Sequence, residues 1–102
     1  MSHRIILSPG ARADIRSAVA WYRRLDIDVP FRFIAETQAI LRRIAQNPKA
    51  FPIVRNVTRR ALMNKFPYIV YFRLHANSVV VRAILHQRRS HTISMTRRNG
   101  RK

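Results

Sequence analysis

The stretch Val79 to His91 reads VVVRAILHQRRSH, and it gathers Arg82, His86, Arg88 and Arg89 at the end of an otherwise apolar run. Guanidinium groups offer a planar fork of donors that matches phosphate and carboxylate oxygens. An imidazole moves protons near neutral pH. Together they can solvate a strand end, hold a polyanion at a binding edge, or supply charge and a proton-transfer group to phosphate chemistry. For each arginine alone, the plain reading is a solvated face.

The rest of the chain narrows these choices. The 102 residues carry 21 Lys plus Arg against 4 Asp plus Glu, a net charge of +17, and 18 of the 21 are Arg. A domain so charged repels itself, so an anionic companion is expected: nucleic acid, a nucleoprotein machine or an acidic protein. No cysteine is present, which excludes disulfides and thiolate chemistry. His3, His75 and His91 have no metal-ligand spacing and no Cys or acidic helpers, so neither a metal nor a cofactor is expected. The four acids (Asp14, Asp26, Asp28 and Glu36) all sit in the first part of the chain, against a paired-carboxylate hydrolase or a two-metal nuclease. With Gly10 and Gly100 as the only glycines, no Gly-rich phosphate loop can form. No apolar run is long enough for a membrane helix and the start has no signal-peptide pattern, so the expected place is the cytoplasm, with no membrane partner.

Arg4 to Leu7 predicts a first strand. Ser8-Pro9 supplies an N-cap and a first-turn proline, and Ala11, Ile15, Ala18, Val19 and Tyr22 recur at helical spacing, predicting a helix from about Pro9 to Arg24. Trp21 and Tyr22 are expected at the core or its edge. Pro30 opens a second helix that ends near Asn47, since Pro48 disfavours helix before it. Its apolar face is expected from Phe31, Ile34, Leu41, Ile44 and Ala45. Pro48 to Val57 reads as a loop, with Phe51 as a buried plug. Strands follow at Arg59 to Met63, Tyr68 to Leu74 and Val79 to His86, the last two joined by the turn His75-Ala76-Asn77-Ser78.

The order is β-α-α-β-β-β. It predicts an α+β domain, with a helical hairpin packed on one face of a small, mostly antiparallel sheet. Residues 1–89 form the single domain; 90–102 form a basic tail expected to be mobile. Strict alternation along the strands puts Val79, Val81, Ala83 and Leu85 against the helices. It sends Tyr71, Arg73, Arg82 and His86 to the opposite face, joined by Arg59 or Arg60 according to register. Arg59, Arg73, Arg82 and Arg88 are then the residues expected to meet a target or polyanion.

The segments ADIRSAVAWY, AILRRIAQNPKAFP, RRALMNKFPYIVYFRL and VVVRAILHQRR, taken in order over residues 4 to 89, resemble the RelE/ParE superfamily. These are toxins of bacterial type II toxin–antitoxin pairs, also described as plasmid-stabilisation proteins. No one segment is specific; the ordered set is. The resemblance implies the same β-α-α-β-β-β layout and a cognate acidic antitoxin, whose docking residues the sequence does not indicate.

It also implies one of two activities. RelE-like members are metal-independent endoribonucleases that cut messenger RNA on the ribosome, and on that branch Arg60, His86 and Arg89 would be catalytic. ParE-like members are not enzymes; they inhibit DNA gyrase. Ile69 stands where an active nuclease of the superfamily carries an arginine, and no tyrosine follows Arg89 where a nuclease has one. The FPYIVYFR and LHQRR text resembles the ParE branch more closely, so gyrase inhibition is the first expectation. Ribosome-dependent RNA cleavage is the second, and a non-toxic nucleic-acid-binding module the third.

Overall fold

The structure, a computed structural model, describes residues 2–88. In chain order the elements are β1 (Arg4–Leu7), α1 (Pro9–Leu25), α2 (Val29–Gln46), a 3-10 turn (Pro48–Ala50), β2 (Ile53–Arg55), β3 (Thr58–Leu62), β4 (Tyr68–His75) and β5 (Ser78–His86). The five strands form one sheet in the order β1-β5-β4-β3-β2. β1 runs parallel to β5, and the other neighbours are antiparallel. The expected α+β arrangement is therefore present, with both helices contributing to a single core on one sheet face. Arg89 and the expected tail 90–102 lie outside the described residues.

Local chemistry explains the elements. Ser8 has extended backbone, and its Oγ accepts the Ala11 N–H at 3.1 Å, capping α1 just before Pro9. The core joins Ala11 and Ala18 of α1, Phe33, Ile40 and Ile44 of α2, and Tyr68, Val70, Phe72, Val79, Val81 and Ile84 of the sheet. Phe33 is fully buried and sits at its aromatic centre, with ring centroids 5.1 Å from Tyr68, 5.4 Å from Phe66 and 5.7 Å from Tyr22. Truncating such a ring to alanine costs about 3–5 kcal/mol. Among the described residues no helix is long and apolar enough to cross a membrane.

The structure corrects the sequence reading in four places. β2 forms inside the expected Pro48 to Val57 loop; all three of its residues are exposed, so no alternation marks it. The buried stripe of α2 runs through Pro30, Phe33, Thr37, Ile40 and Ile44, leaving Phe31 70% exposed. Thr37 hides that stripe from a hydropathy count, yet it fits because its hydroxyl donates to the Phe33 carbonyl at 2.8 Å. Trp21 is exposed rather than core, while Tyr22 is half-buried.

The fourth correction has the largest consequence. Tyr71 pairs with Ala83 but Phe72 pairs with Val81, so Arg82 is an extra residue in β5, a β-bulge. One inserted residue reverses the facing of everything after it. Ile84 and His86 turn to the helix side, and Ala83 and Leu85 turn away. The bulge falls where β1 ends its pairing, at Val81. Beyond that point α1 supplies the missing edge partners. Ser8 Oγ donates to the Arg82 carbonyl at 3.2 Å, and an Asp14 carboxylate oxygen accepts the Ile84 N–H at 2.9 Å.

Candidate functional site

The bulge divides the expected arginine and histidine cluster between two surfaces. On the helix side, α1 and the end of β5 enclose a cleft of about 610 Å³, lined among others by Asp14, Trp21, Arg24, Tyr68, His86 and Arg88. Tyr68 forms its floor and is 3% exposed. His86 stands opposite Tyr68 across the strands, with ring centroids 5.3 Å apart. Its Nδ1 accepts the Arg88 backbone N–H at 3.1 Å, which assigns the ring proton to Nε2. Arg24 lies over the Trp21 ring, 5.2 Å from its centroid, so a half-exposed indole and a cation stand together at the rim.

The opposite sheet face carries a different set. Arg60 pairs with Tyr71, two residues before Arg73; Arg73 pairs with Val80, and Arg4 pairs with Ser78, which is opposite His75. Alternation places Arg4, Arg60, Tyr71, Arg73 and His75 on this one face, away from the helices. The arginines and His75 are exposed, and Tyr71 is half-buried. Arg59, the alternative to Arg60, faces the helix side opposite Phe72. Its guanidinium donates to the Phe51 carbonyl at 2.7 Å and the Lys49 carbonyl at 3.5 Å, tying down the loop before β2. Arg82 is exposed on the bulge.

Of the residues that sequence singled out, Arg60 and Arg73 therefore share the open face, and His86 and Arg88 share the cleft. Arg59 is engaged by the loop, and Arg89 lies outside the described residues. Arg60 and His86 are on opposite faces of the sheet, so the structure does not bring them together. Sequence reasoning missed Asp14, Trp21 and Arg24 at the cleft and Arg4 on the open face. Asp14 had a readable signal: it lies three residues after Ala11 and four before Ala18, on the buried side of α1. Among the described residues no group of three or more His, Asp or Glu gathers as a metal-ligand set.

Comparison with known proteins fits this geometry to a family. A family model for the ParE toxin of the type II toxin–antitoxin system parDE matches residues 5–91. The chain belongs to the ParE toxin family. A solved structure described as "Chromosomal ParDE TA system from P. aeruginosa" contains a chain that superposes with a TM-score of 0.75 at 13% sequence identity. The match covers 83% of this chain and 96% of that one, a likeness of fold. No curated protein matches the sequence. As a ParE-family toxin, the chain pairs an apolar, cation-rimmed cleft on one side of its sheet with a face on the other that is exposed and cationic at Arg4, Arg60 and Arg73 and buried at Ile69, Ala83 and Leu85.

Proposed function

We propose that this ParE-family toxin inhibits DNA gyrase and is silenced by an acidic antitoxin. The family match over residues 5–91 carries the reading. The separation of Arg60 from His86 across the sheet supports it over a RelE-like nuclease, which would need those groups at one phosphate. The buried aliphatic Ile69 stands at the position where nucleases of the superfamily carry an arginine, which also favours an inhibitor over an enzyme.

The antitoxin reading rests on chemistry as well as kinship. The cleft offers an apolar floor from Tyr68 and Ile84, the half-exposed Trp21, and a cationic rim from Arg24 and Arg88. An amphipathic segment with acidic residues flanking an apolar stripe meets both. The test is inducible expression with and without the neighbouring gene, with separate readouts of plasmid supercoiling and of translation. Loss of supercoiling, relieved by the neighbour, is expected. Arrest of translation with cleaved messages and normal supercoiling would replace this reading with the nuclease one.

A further inference from the structure

We propose that the open sheet face is a docking surface for duplex DNA, which Arg4, Arg60 and Arg73 hold through its phosphates. The three arginines lie along one diagonal of the sheet. Strand spacing and residue rise separate the Cα atoms of Arg60 and Arg73 by roughly 8 Å, and those of Arg73 and Arg4 by roughly 12 Å. All three are exposed. No Asp or Glu occurs in any strand or anywhere after Glu36, so no acid on this face answers them.

The face is a sheet surface with cations spread over roughly 20 Å, not a pocket. A repeating polyanion satisfies such a spread; duplex DNA presents about one charge per 1.7 Å of axis. Ile6 and Leu62 share this face at 40% and 50% exposure, but three arginines on one diagonal with no acid among them match the regular charge of a duplex better than the irregular charge of an acidic peptide. Arg59 is excluded from the set because its guanidinium already holds two carbonyls.

The inference deepens the gyrase reading and rests on it for its biological meaning. Gyrase acts on duplex DNA, so a toxin that grips phosphates would engage the enzyme and its substrate together. The binding itself is a property of this chain alone, which lets the two ideas fail separately.

The experiment measures binding of the purified full chain to a labelled DNA duplex by fluorescence anisotropy over a salt series, without gyrase. Three phosphate contacts from this face contribute about −2.7 to the slope of log affinity against log salt. The variant Arg60→Gln/Arg73→Gln is expected to reduce the magnitude of that slope by about 2 and to weaken binding at least tenfold near 100 mM salt. The exposed pair Arg12→Gln/Arg16→Gln, on α1, should leave the slope unchanged. Equal losses from both variants, or an unchanged slope in the first, would overturn the proposal, as would tighter binding of an RNA of equal length. A supercoiling assay separates the readings. If the chain binds DNA through these arginines yet spares gyrase, the gyrase reading fails and this one stands. If it inhibits gyrase while the first variant binds DNA like the unaltered chain, this one fails alone.

Discussion

Tyr68 and His86 face each other across β4 and β5 with ring centroids 5.3 Å apart and planes crossed at 76°. Tyr68 is part of the aromatic core, so this edge-to-face pair fixes His86 on the helix side. The same imidazole accepts the Arg88 N–H and so orders the chain as it leaves the sheet. His86→Ala removes both interactions. A loss of about 1–2 kcal/mol is expected, from an aromatic pair and one modest hydrogen bond. Urea unfolding measures it, and an unchanged midpoint would mean that the histidine has no structural role.

Arg59 and Arg60 are neighbours with opposite tasks. Arg59 holds the Phe51 carbonyl, and Phe51 in turn packs edge-on against Phe72 at 5.9 Å. Arg59→Met is expected to destabilise by about 1–2 kcal/mol, the cost of charge-assisted bonds to a half-buried carbonyl. Arg60→Met, on the exposed face, should stay within about 0.5 kcal/mol. Paired thermal melts decide it: similar shifts in the two variants would contradict the register of β3.

Most of the fold was legible because its signals are local. Ser8-Pro9 announces α1, Pro48 closes α2, and the apolar runs of β4 and β5 are long enough to stand out. What escaped was non-local. β2 has no buried residue and exists because β3 offers it an edge. The bulge at Arg82 coincides with the end of the β1 pairing at Val81, a relation between residues far apart in the chain. A hint was present all the same: strict alternation placed Ile84 between Arg82 and His86 in a polar row. That mismatch is relieved once the row shifts and Ile84 becomes core. The site was legible to the same degree. Arg73 kept its expected face and the register of β3 put Arg60 rather than Arg59 beside it, whereas His86 follows the bulge and changed sides.

Asp14 joins α1 to the half of β5 that runs beyond its pairing with β1 and keeps only β4 as a strand neighbour. Its carboxylate accepts the Ile84 N–H at 2.9 Å beyond the last β1 pairing. Asp14→Ala leaves that amide without its acceptor, and a cost of about 1.5–3 kcal/mol is expected for a bond to a charged group. Asp14→Asn keeps an oxygen there and should lose less. Amide exchange gives the sharper readout. Ile84 should lose protection in the alanine variant beyond the loss at Val79, which lies between β1 and β4 on the side of the bulge away from Asp14. Uniform loss across β5 would mean that the carboxylate acts only through global stability.

Alkaline pH offers a test of the aromatic centre. Burial raises the Tyr22 hydroxyl above its ordinary value, and the hydrogen bond with Tyr68 offsets part of that rise. The folded chain therefore holds this proton more tightly than the unfolded chain does. The resulting stability is fully present below the unfolded value, about 10, and is lost as pH climbs through the higher folded value. Tyr22→Phe keeps a ring able to make the contacts with Phe33 at 5.7 Å and Phe66 at 5.3 Å but has no proton to lose. Between about pH 8 and 11 the unaltered chain should lose stability more steeply than the phenylalanine variant, since the other titrating groups are shared by both. Urea midpoints across that range are the measurement. Parallel slopes would show that the hydroxyl ionises as readily in the folded chain as in the unfolded one, and that water reaches it between α1 and the sheet.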